Sequence, residues 1–116
     1  MNHSTGKPTK AEQTRLDAIH AMPCMCCVRE GVRQPSPTEA HHLVDKGTRK
    51  LSGGHMATIP LCGWHHRGIP LEGVKPNDML FDYGPSFDLN KRSFVVTYGT
   101  DRELLALVDA RLVKAA

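Results

Sequence analysis

The sequence predicts a small α+β domain with a zinc-stabilised core, flanking helices and a C-terminal helix. Metal-binding residue types are concentrated in one part of the chain: all four cysteines and five of the seven histidines lie between Cys24 and His66. Imidazole and thiol groups are costly to bury unless they are hydrogen-bonded or coordinated, so this concentration indicates a metal site. Aromatic residues make up 5% of the chain, and a core so poor in large side chains gains stability from a metal ion.

The N-terminal third predicts an arm, a helix and a metal-binding knuckle. Residues 1–10 are polar and include glycine and proline, which indicates a disordered arm. Apolar residues recur at helical spacing in residues 11–22, and a proline then ends this helix. Residues 24–32 suit a zinc knuckle closed by Gly31, and residues 34–37 are predicted to form a loop.

The middle of the chain predicts a strand, a loop, a second strand and a helix, in that order. Residues 39–44 form a short strand that contains a pair of histidines, and residues 45–54 form a polar loop. Residues 58–61 are apolar and β-branched enough for the second strand. Residues 62–67 then begin a helix.

The last third predicts a mostly helical extension. Pro76 and Asn77 can start a helix that stops near Gly84. Residues 87–98 are ambiguous, because a run of Phe and Val favours a strand while the glycine that follows favours the end of a helix. A capping-box pattern at residues 100–103 begins the final helix. The side of this helix predicted to pack on the core contains Leu105, Val108 and Leu112.

Length and composition predict one domain over residues 11–116, with a core at residues 21–68 and an extension at residues 76–116. No apolar stretch approaches the roughly 20 residues of a membrane span, and the N-terminus has no apolar signal region. We therefore expect an intracellular protein with no membrane partner. The net charge of +3 is compatible with a polyanionic partner without establishing one.

Four residues have the spacing of a structural zinc site. Cys24 and Cys27 form one Cys-x-x-Cys pair, and Cys62 with His65 forms a Cys-x-x-His pair; two such pairs supply four tetrahedral ligands. Zinc is favoured over a disulfide framework, because histidines accompany the cysteines and nothing suggests secretion. Cys26 is interpreted as a small buried apolar residue.

The segments Glu39-Ala40-His41-His42-Leu43 and Leu61-Cys62-Gly63-Trp64-His65-His66 resemble the HNH nucleases, the ββα-metal group. The resemblance is closest to the phage recombination-enhancement, RecA-dependent nuclease (Ref) family, and it covers roughly residues 21–68. It implies an endonuclease that hydrolyses DNA phosphodiester bonds in recombination on RecA-bound DNA. It also implies a phage or prophage protein that acts in the cytoplasm of a bacterial host.

The resemblance also implies roles for individual residues. His42 corresponds to the general base, and His41 and His66 correspond to ligands of a catalytic Mg²⁺ or Mn²⁺. No asparagine stands near Ala57, where a typical HNH pattern has one; His55 is the nearest candidate to orient the base or join the ion. The cationic residues available to bind phosphates are Lys46, Arg49, Lys50 and Arg67.

A second interpretation remains open at this stage. A zinc module without catalytic activity, which binds nucleic acid or protein, would explain the two knuckles. It would leave the His41-His42 pair without a role, and the chain lacks the clustered cations and stacking aromatics of a dedicated binder.

Overall fold

A computed structural model describes residues 6–115. The domain has a two-stranded antiparallel sheet surrounded by helices, as the sequence predicts. In chain order, the elements are α1 (Lys10–Ala21), α2 (Met25–Glu30), β1 (Thr38–His42), a 3₁₀ turn (Gly54–Met56), β2 (Thr58–Cys62), α3 (Gly63–Arg67), α4 (Pro76–Tyr83), α5 (Lys91–Tyr98) and α6 (Asp101–Ala115).

The sheet places the histidine pair opposite the start of β2. The register runs without a break from Thr38 opposite Cys62 to His42 opposite Thr58. Every residue of β2 is buried, whereas β1 has one buried residue, His41. Helices α1 and α3 pack against both strands, whereas α2 and α6 pack mainly against β2 and cover it more completely.

Two glycines end the short helices that contain the zinc-knuckle residues. Gly31 closes α2 and Gly68 closes α3, both in the left-handed conformation, with φ of 68° and 70°. The Gly31 N–H donates to the carbonyls of Cys27 and Val28. A Cβ at position 68 would lie 2.4 Å from the Leu89 side chain, so a larger residue there would have to move that side chain as well as adopt a strained backbone.

The regular elements of the C-terminal extension, α4, α5 and α6, are all helices. This answers whether residues 87–98, which the sequence left ambiguous, form a strand or a helix. Most of these residues form α5, whose Phe94 and Tyr98 are buried one turn apart. No third strand lies beside β1 or β2 within residues 6–115, so the Phe-Val run has no ladder to join. The predicted capping box is present: the Glu103 N–H donates to Thr100 Oγ1, and the Thr100 N–H donates to Glu103 Oε1.

The final helix packs on the core as predicted. Leu105 and Val108 are buried, and Leu112 is partly buried against the same core. Arg15 of α1 ties this helix to the sheet, because its guanidinium donates to Thr58 Oγ1 and O and also pairs with Asp109. The side chain of Arg15 is 8% exposed. The guanidinium therefore joins α1, β2 and α6, through buried contacts with Thr58 and a contact with the half-exposed Asp109.

The predicted arm falls partly outside the described residues. Of the residues that are described, Thr9 caps α1 through a capping box with Glu12, and Lys10 is the first residue of that helix. The Gly6 carbonyl oxygen lies 3.0 Å from His55 Nε2. No helix within residues 6–115 combines the length and apolar character needed to cross a membrane.

The packing of α6 predicts that replacing two leucines of this helix by Ala lowers the free energy of unfolding by different amounts. Leu104 is 1% exposed and Leu107 is 51% exposed. We expect Leu104→Ala to lower the free energy of unfolding by about 2–5 kcal/mol, and Leu107→Ala by less than about 0.5 kcal/mol. Chemical denaturation of the two variants measures this difference. Equal and small losses of stability in the two variants would mean that burying Leu104 between α6 and the core does not stabilise the domain.

Candidate metal and catalytic site

The four predicted zinc-binding residues converge at the junction of α2, β2 and α3. Cys24, Cys27, Cys62 and His65 are all buried, and their ligand atoms lie within 4.8 Å of one another. His65 Nδ1 is 3.3–3.5 Å from the three sulfurs, and Cys27 Sγ is 3.8 Å from Cys62 Sγ. Tetrahedral zinc with ordinary bond lengths separates S from N by about 3.6 Å and S from S by about 3.8 Å. The cluster is therefore shaped to hold a zinc ion.

The position of His65 is set by groups outside the cluster. Its Nε2 lies 2.8 Å from the carbonyl oxygen of Tyr83, which requires a proton on Nε2 and leaves the Nδ1 lone pair facing the sulfurs. The Tyr98 hydroxyl lies 3.4 Å from the same Nε2 and donates to Glu30. Because Tyr83 ends α4 and Tyr98 ends α5, the extension helps to orient one residue of the Cys₃His cluster.

Cys26 stands apart from the zinc cluster although it is the neighbour of Cys27. It is 1% exposed, and it is not among the four residues whose ligand atoms converge. A hydrogen bond to Cys24, together with burial, holds the pKa of the Cys26 thiol well above its ordinary range. A neutral buried thiol behaves as a small apolar side chain, which agrees with the interpretation from sequence.

One face of β1 brings His41 against His66. The two rings meet edge to face with centroids 4.8 Å apart, and the Phe87 ring also contacts His41, with centroids 4.5 Å apart. His41 Nε2 is buried and has no hydrogen-bond partner among the described residues. The carboxylate oxygen Asp101 Oδ2 lies 3.9 Å from it, beyond hydrogen-bond distance. An unpartnered buried nitrogen beside a second histidine is an arrangement that a cation would satisfy.

Glu39 orients His66 from the same face of β1. Its Oε1 lies 2.8 Å from His66 Nδ1, and both of its oxygens accept hydrogen bonds from Arg67. The Arg67 guanidinium, and to a smaller extent His66, hold the pKa of the Glu39 carboxyl below its usual range. The ionised carboxylate therefore accepts a hydrogen bond from Nδ1–H of His66 and leaves Nε2 of that ring as the atom free to bind.

The opposite face of β1 brings His42 against His55. His42 Nε2 lies 3.0 Å from His55 Nδ1, while His42 Nδ1 is buried with no partner in the part of the chain that the structure describes. Burial, followed by the charges of Arg49 and His55, lowers the pKa of His42 to about 4. The ring is therefore neutral near pH 7. Since neighbouring residues of a strand alternate in direction, His41 and His42 face opposite sides of the sheet.

The predicted phosphate-binding residues lie on the surface near this site. Lys46, Arg49 and Lys50 lie in the loop between β1 and the 3₁₀ turn, and this loop is largely exposed. The side chain of Arg67 is 56% exposed, but it is already paired with Glu39. Arg102 of α6 holds the start of the loop through two hydrogen bonds to Asp45.

A comparison with the sequence models of known families shows which protein family the chain belongs to. The sequence model of the family described as "Recombination enhancement, RecA-dependent nuclease" matches residues 8–112. The chain belongs to this family of nucleases. No solved structure matches it.

The match to the RecA-dependent nuclease family covers more of the chain than the motifs that first suggested the resemblance. The match includes α4, α5 and most of α6, whereas the resemblance noted from sequence covered roughly residues 21–68. The residues of this extension that contact His65 and His41 therefore lie inside the region that the family model spans.

Sequence reasoning grouped the histidines into one site but missed two acidic residues beside them. The structure brings His41 to His66 and His42 to His55, as two pairs on opposite faces of β1. Glu39 could have been found from its spacing, because residues two apart in a strand share a face. Asp101 had no local signal, since sixty positions of chain separate it from His41.

The geometry of the zinc cluster predicts different effects for two adjacent cysteines. We expect Cys27→Ala to lose bound zinc and to unfold the domain, because it removes one of four ligands from a small core. Cys26→Ala should keep about one zinc per chain. Elemental analysis and circular dichroism of unchelated protein measure both effects. Less than about half an equivalent of zinc in the wild type would contradict a structural tetrahedral site.

Proposed function

We propose that this protein is a metal-dependent DNA endonuclease of the HNH type that hydrolyses phosphodiester bonds. The main support is the edge-to-face contact of His41 and His66 where β1 meets α3, with His42 next in the strand. A β1–β2–α3 unit with a histidine pair on its first strand and a histidine on its helix has the order of elements that a ββα-metal site requires. The nuclease family relationship supports the reaction class.

His41 and His66 are the proposed ligands of a catalytic Mg²⁺ or Mn²⁺. Within the described residues, Nε2 of His41 is buried without a hydrogen-bond partner, and Glu39 leaves Nε2 of His66 unprotonated. When bound, such an ion polarises the scissile phosphate and neutralises charge on the leaving 3′ oxygen. Mg²⁺ keeps waters and substrate oxygens in its coordination shell, so two protein ligands leave room for a phosphate.

His42 is the proposed general base. Its neutral imidazole takes a proton from a water molecule as the water oxygen attacks phosphorus. The new P–O bond forms as the bond from phosphorus to the 3′ oxygen breaks, and the leaving oxygen takes a proton from solvent. His55 lies 3.0 Å from His42 Nε2 and is proposed to hold the ring in position.

The opposite directions of His41 and His42 restrict where a phosphate can lie. The β1–β2 register is regular, so no bulge in this described pair of strands turns the two rings to one side. Strand β1 ends at His42, and the loop with Lys46, Arg49 and Lys50 follows it. A phosphate that both histidines can reach must therefore lie at the end of the strand, beside the cationic loop. This position is also the one where the loop can hold neighbouring phosphates.

The proposed substrate is DNA bound in a RecA filament, in keeping with the family description. On the same relationship we propose a phage or prophage origin and action in the bacterial cytoplasm. Dependence on RecA predicts that DNA in the filament is cleaved and that naked DNA is cleaved slowly or not at all. Activity tests therefore require both naked DNA and RecA–ATP filaments with a paired strand.

Four histidine variants separate the proposed roles. We expect His42→Ala to abolish single-turnover cleavage while Mn²⁺ binding, zinc content and fold stay intact. His41→Ala and His66→Ala should lose cleavage and Mn²⁺ binding together, because each removes a ligand. His65→Ala should lose zinc. Cleavage assays, isothermal titration with Mn²⁺ and elemental analysis on each variant measure these effects.

The control for these variants is His20→Ala, because His20 is exposed in the last turn of α1 and its ring contacts the carbonyl oxygen of Thr38, at the end of β1 away from the histidine pair. It should cleave as the wild type does. A His42→Ala protein that stays active, on naked DNA or on filaments, would remove His42 as the base. A wild type that binds DNA without cleaving it in either condition would favour the binding-module interpretation.

The cationic loop predicts a change in the salt dependence of DNA binding. Replacing Lys46, Arg49 and Lys50 by Ala should weaken binding and reduce the slope of log K against log salt by about 0.7–0.9 for each phosphate that the loop no longer neutralises. The control is Lys114→Ala, since Lys114 is exposed in the last turn of α6, at the opposite end of that helix from Arg102, which contacts the loop. Fluorescence anisotropy at several salt concentrations measures the slope, and an unchanged slope would exclude the loop from the interface.

A further inference from the structure

Asp101 brings a carboxylate from the far end of the chain to the proposed cation site. It is the first residue of α6, and its side chain is 11% exposed. Its Oδ2 lies 3.9 Å from Nε2 of His41, whose side chain is 5% exposed. The nitrogen that faces this oxygen is buried and has no hydrogen-bond partner within residues 6–115.

The separation of the two atoms fits a shared cation better than a direct contact. At 3.9 Å the oxygen and nitrogen are too far apart for a hydrogen bond. Two ligands on one octahedral cation, each at about 2.0–2.2 Å, lie about 3 Å apart when adjacent and about 4 Å apart when opposite. The observed distance is close to the separation of opposite ligands. A small ion between Asp101 and His41 would satisfy both groups.

Two anchors hold the start of α6 beside the sheet. The capping box between Thr100 and Glu103 fixes the first turn. Arg102 makes two hydrogen bonds to Asp45 and one to the Ser52 carbonyl oxygen, both in the loop that follows β1. The Asp101 carboxylate is thus placed by contacts of the residues on both sides of it.

We propose that Asp101 is a carboxylate ligand of the divalent cation held by His41 and His66. This inference rests on the proposed function and adds a residue to its site. A carboxylate with two imidazoles is a harder donor set than the Cys₃His cluster, and it suits Mn²⁺ or Mg²⁺ while the thiolates retain zinc. Helix α6 would then complete the active site as well as cover the core.

The test is Mn²⁺ binding to the zinc-loaded protein, measured by isothermal titration and by the Mn²⁺ electron paramagnetic resonance signal. We expect Asp101→Asn to weaken Mn²⁺ binding about tenfold or more, since removal even of a group that supports a ligand costs about 10–100-fold. Mn²⁺ should raise the melting temperature of the wild type and have a smaller effect on the variant.

The matched control is Asp78→Asn. Asp78 also lies in the first turn of a helix, α4, and is exposed, so the same charge is removed from a similar helix position. We expect this variant to bind Mn²⁺ as the wild type does. Equal weakening in both variants would assign the effect to net charge and would overturn the proposal.

The remaining outcomes separate this inference from the proposed function. If Asp101→Asn binds Mn²⁺ normally while His41→Ala and His66→Ala do not, Asp101 is not a ligand and the histidine site stands. If the wild type binds no Mn²⁺ with or without DNA, the catalytic cation site itself is wrong. Asp101→Glu, which keeps the carboxylate, should recover part of the affinity; no recovery beyond Asp101→Asn would count against direct coordination.

Discussion

The convergence of three thiols and one imidazole is the constraint on which the other parts of this fold rely. Cys24 and Cys27 come from the segment that forms α2, and Cys62 and His65 join β2 to α3. Helix α3 has five residues, which is too short to be stable alone in water. Its position depends on the cluster and on the contact of His65 with the Tyr83 carbonyl oxygen. Loss of the cluster would therefore also displace His66, the next residue of the helix.

Structural and proposed catalytic roles fall on adjacent residues of α3, and the two histidine pairs use adjacent residues of β1. His65 faces the thiols, whereas His66 faces Glu39 and His41. On β1, His41 faces His66 and His42 faces His55. Side chains change direction from one residue to the next in both a helix and a strand, so two neighbouring residues can belong to two different sites. Variants at these pairs consequently need zinc content and fold measured beside activity.

The C-terminal extension contributes more than coverage of the core. Tyr83 and Tyr98 orient His65 of the Cys₃His cluster, Arg102 holds the loop after β1, and Asp101 approaches His41. These contacts come from α4, α5 and α6, all of which the family match includes in whole or in large part. The extension therefore contacts residues of both the Cys₃His cluster and the proposed catalytic site.

The Cys₃His cluster, the order of the core elements and the final helix were all predictable from the amino-acid sequence. Each of these depends on local spacing: a two-residue gap between ligands, short strands bounded by a polar loop, and a capping box before periodic leucines. The helical conformation of residues 91–98 was not predictable, because it depended on whether a strand partner was present. Nor was it predictable which histidines meet, or that Asp101 lies beside His41. Such contacts arise from packing between distant segments, which spacing along the chain does not encode.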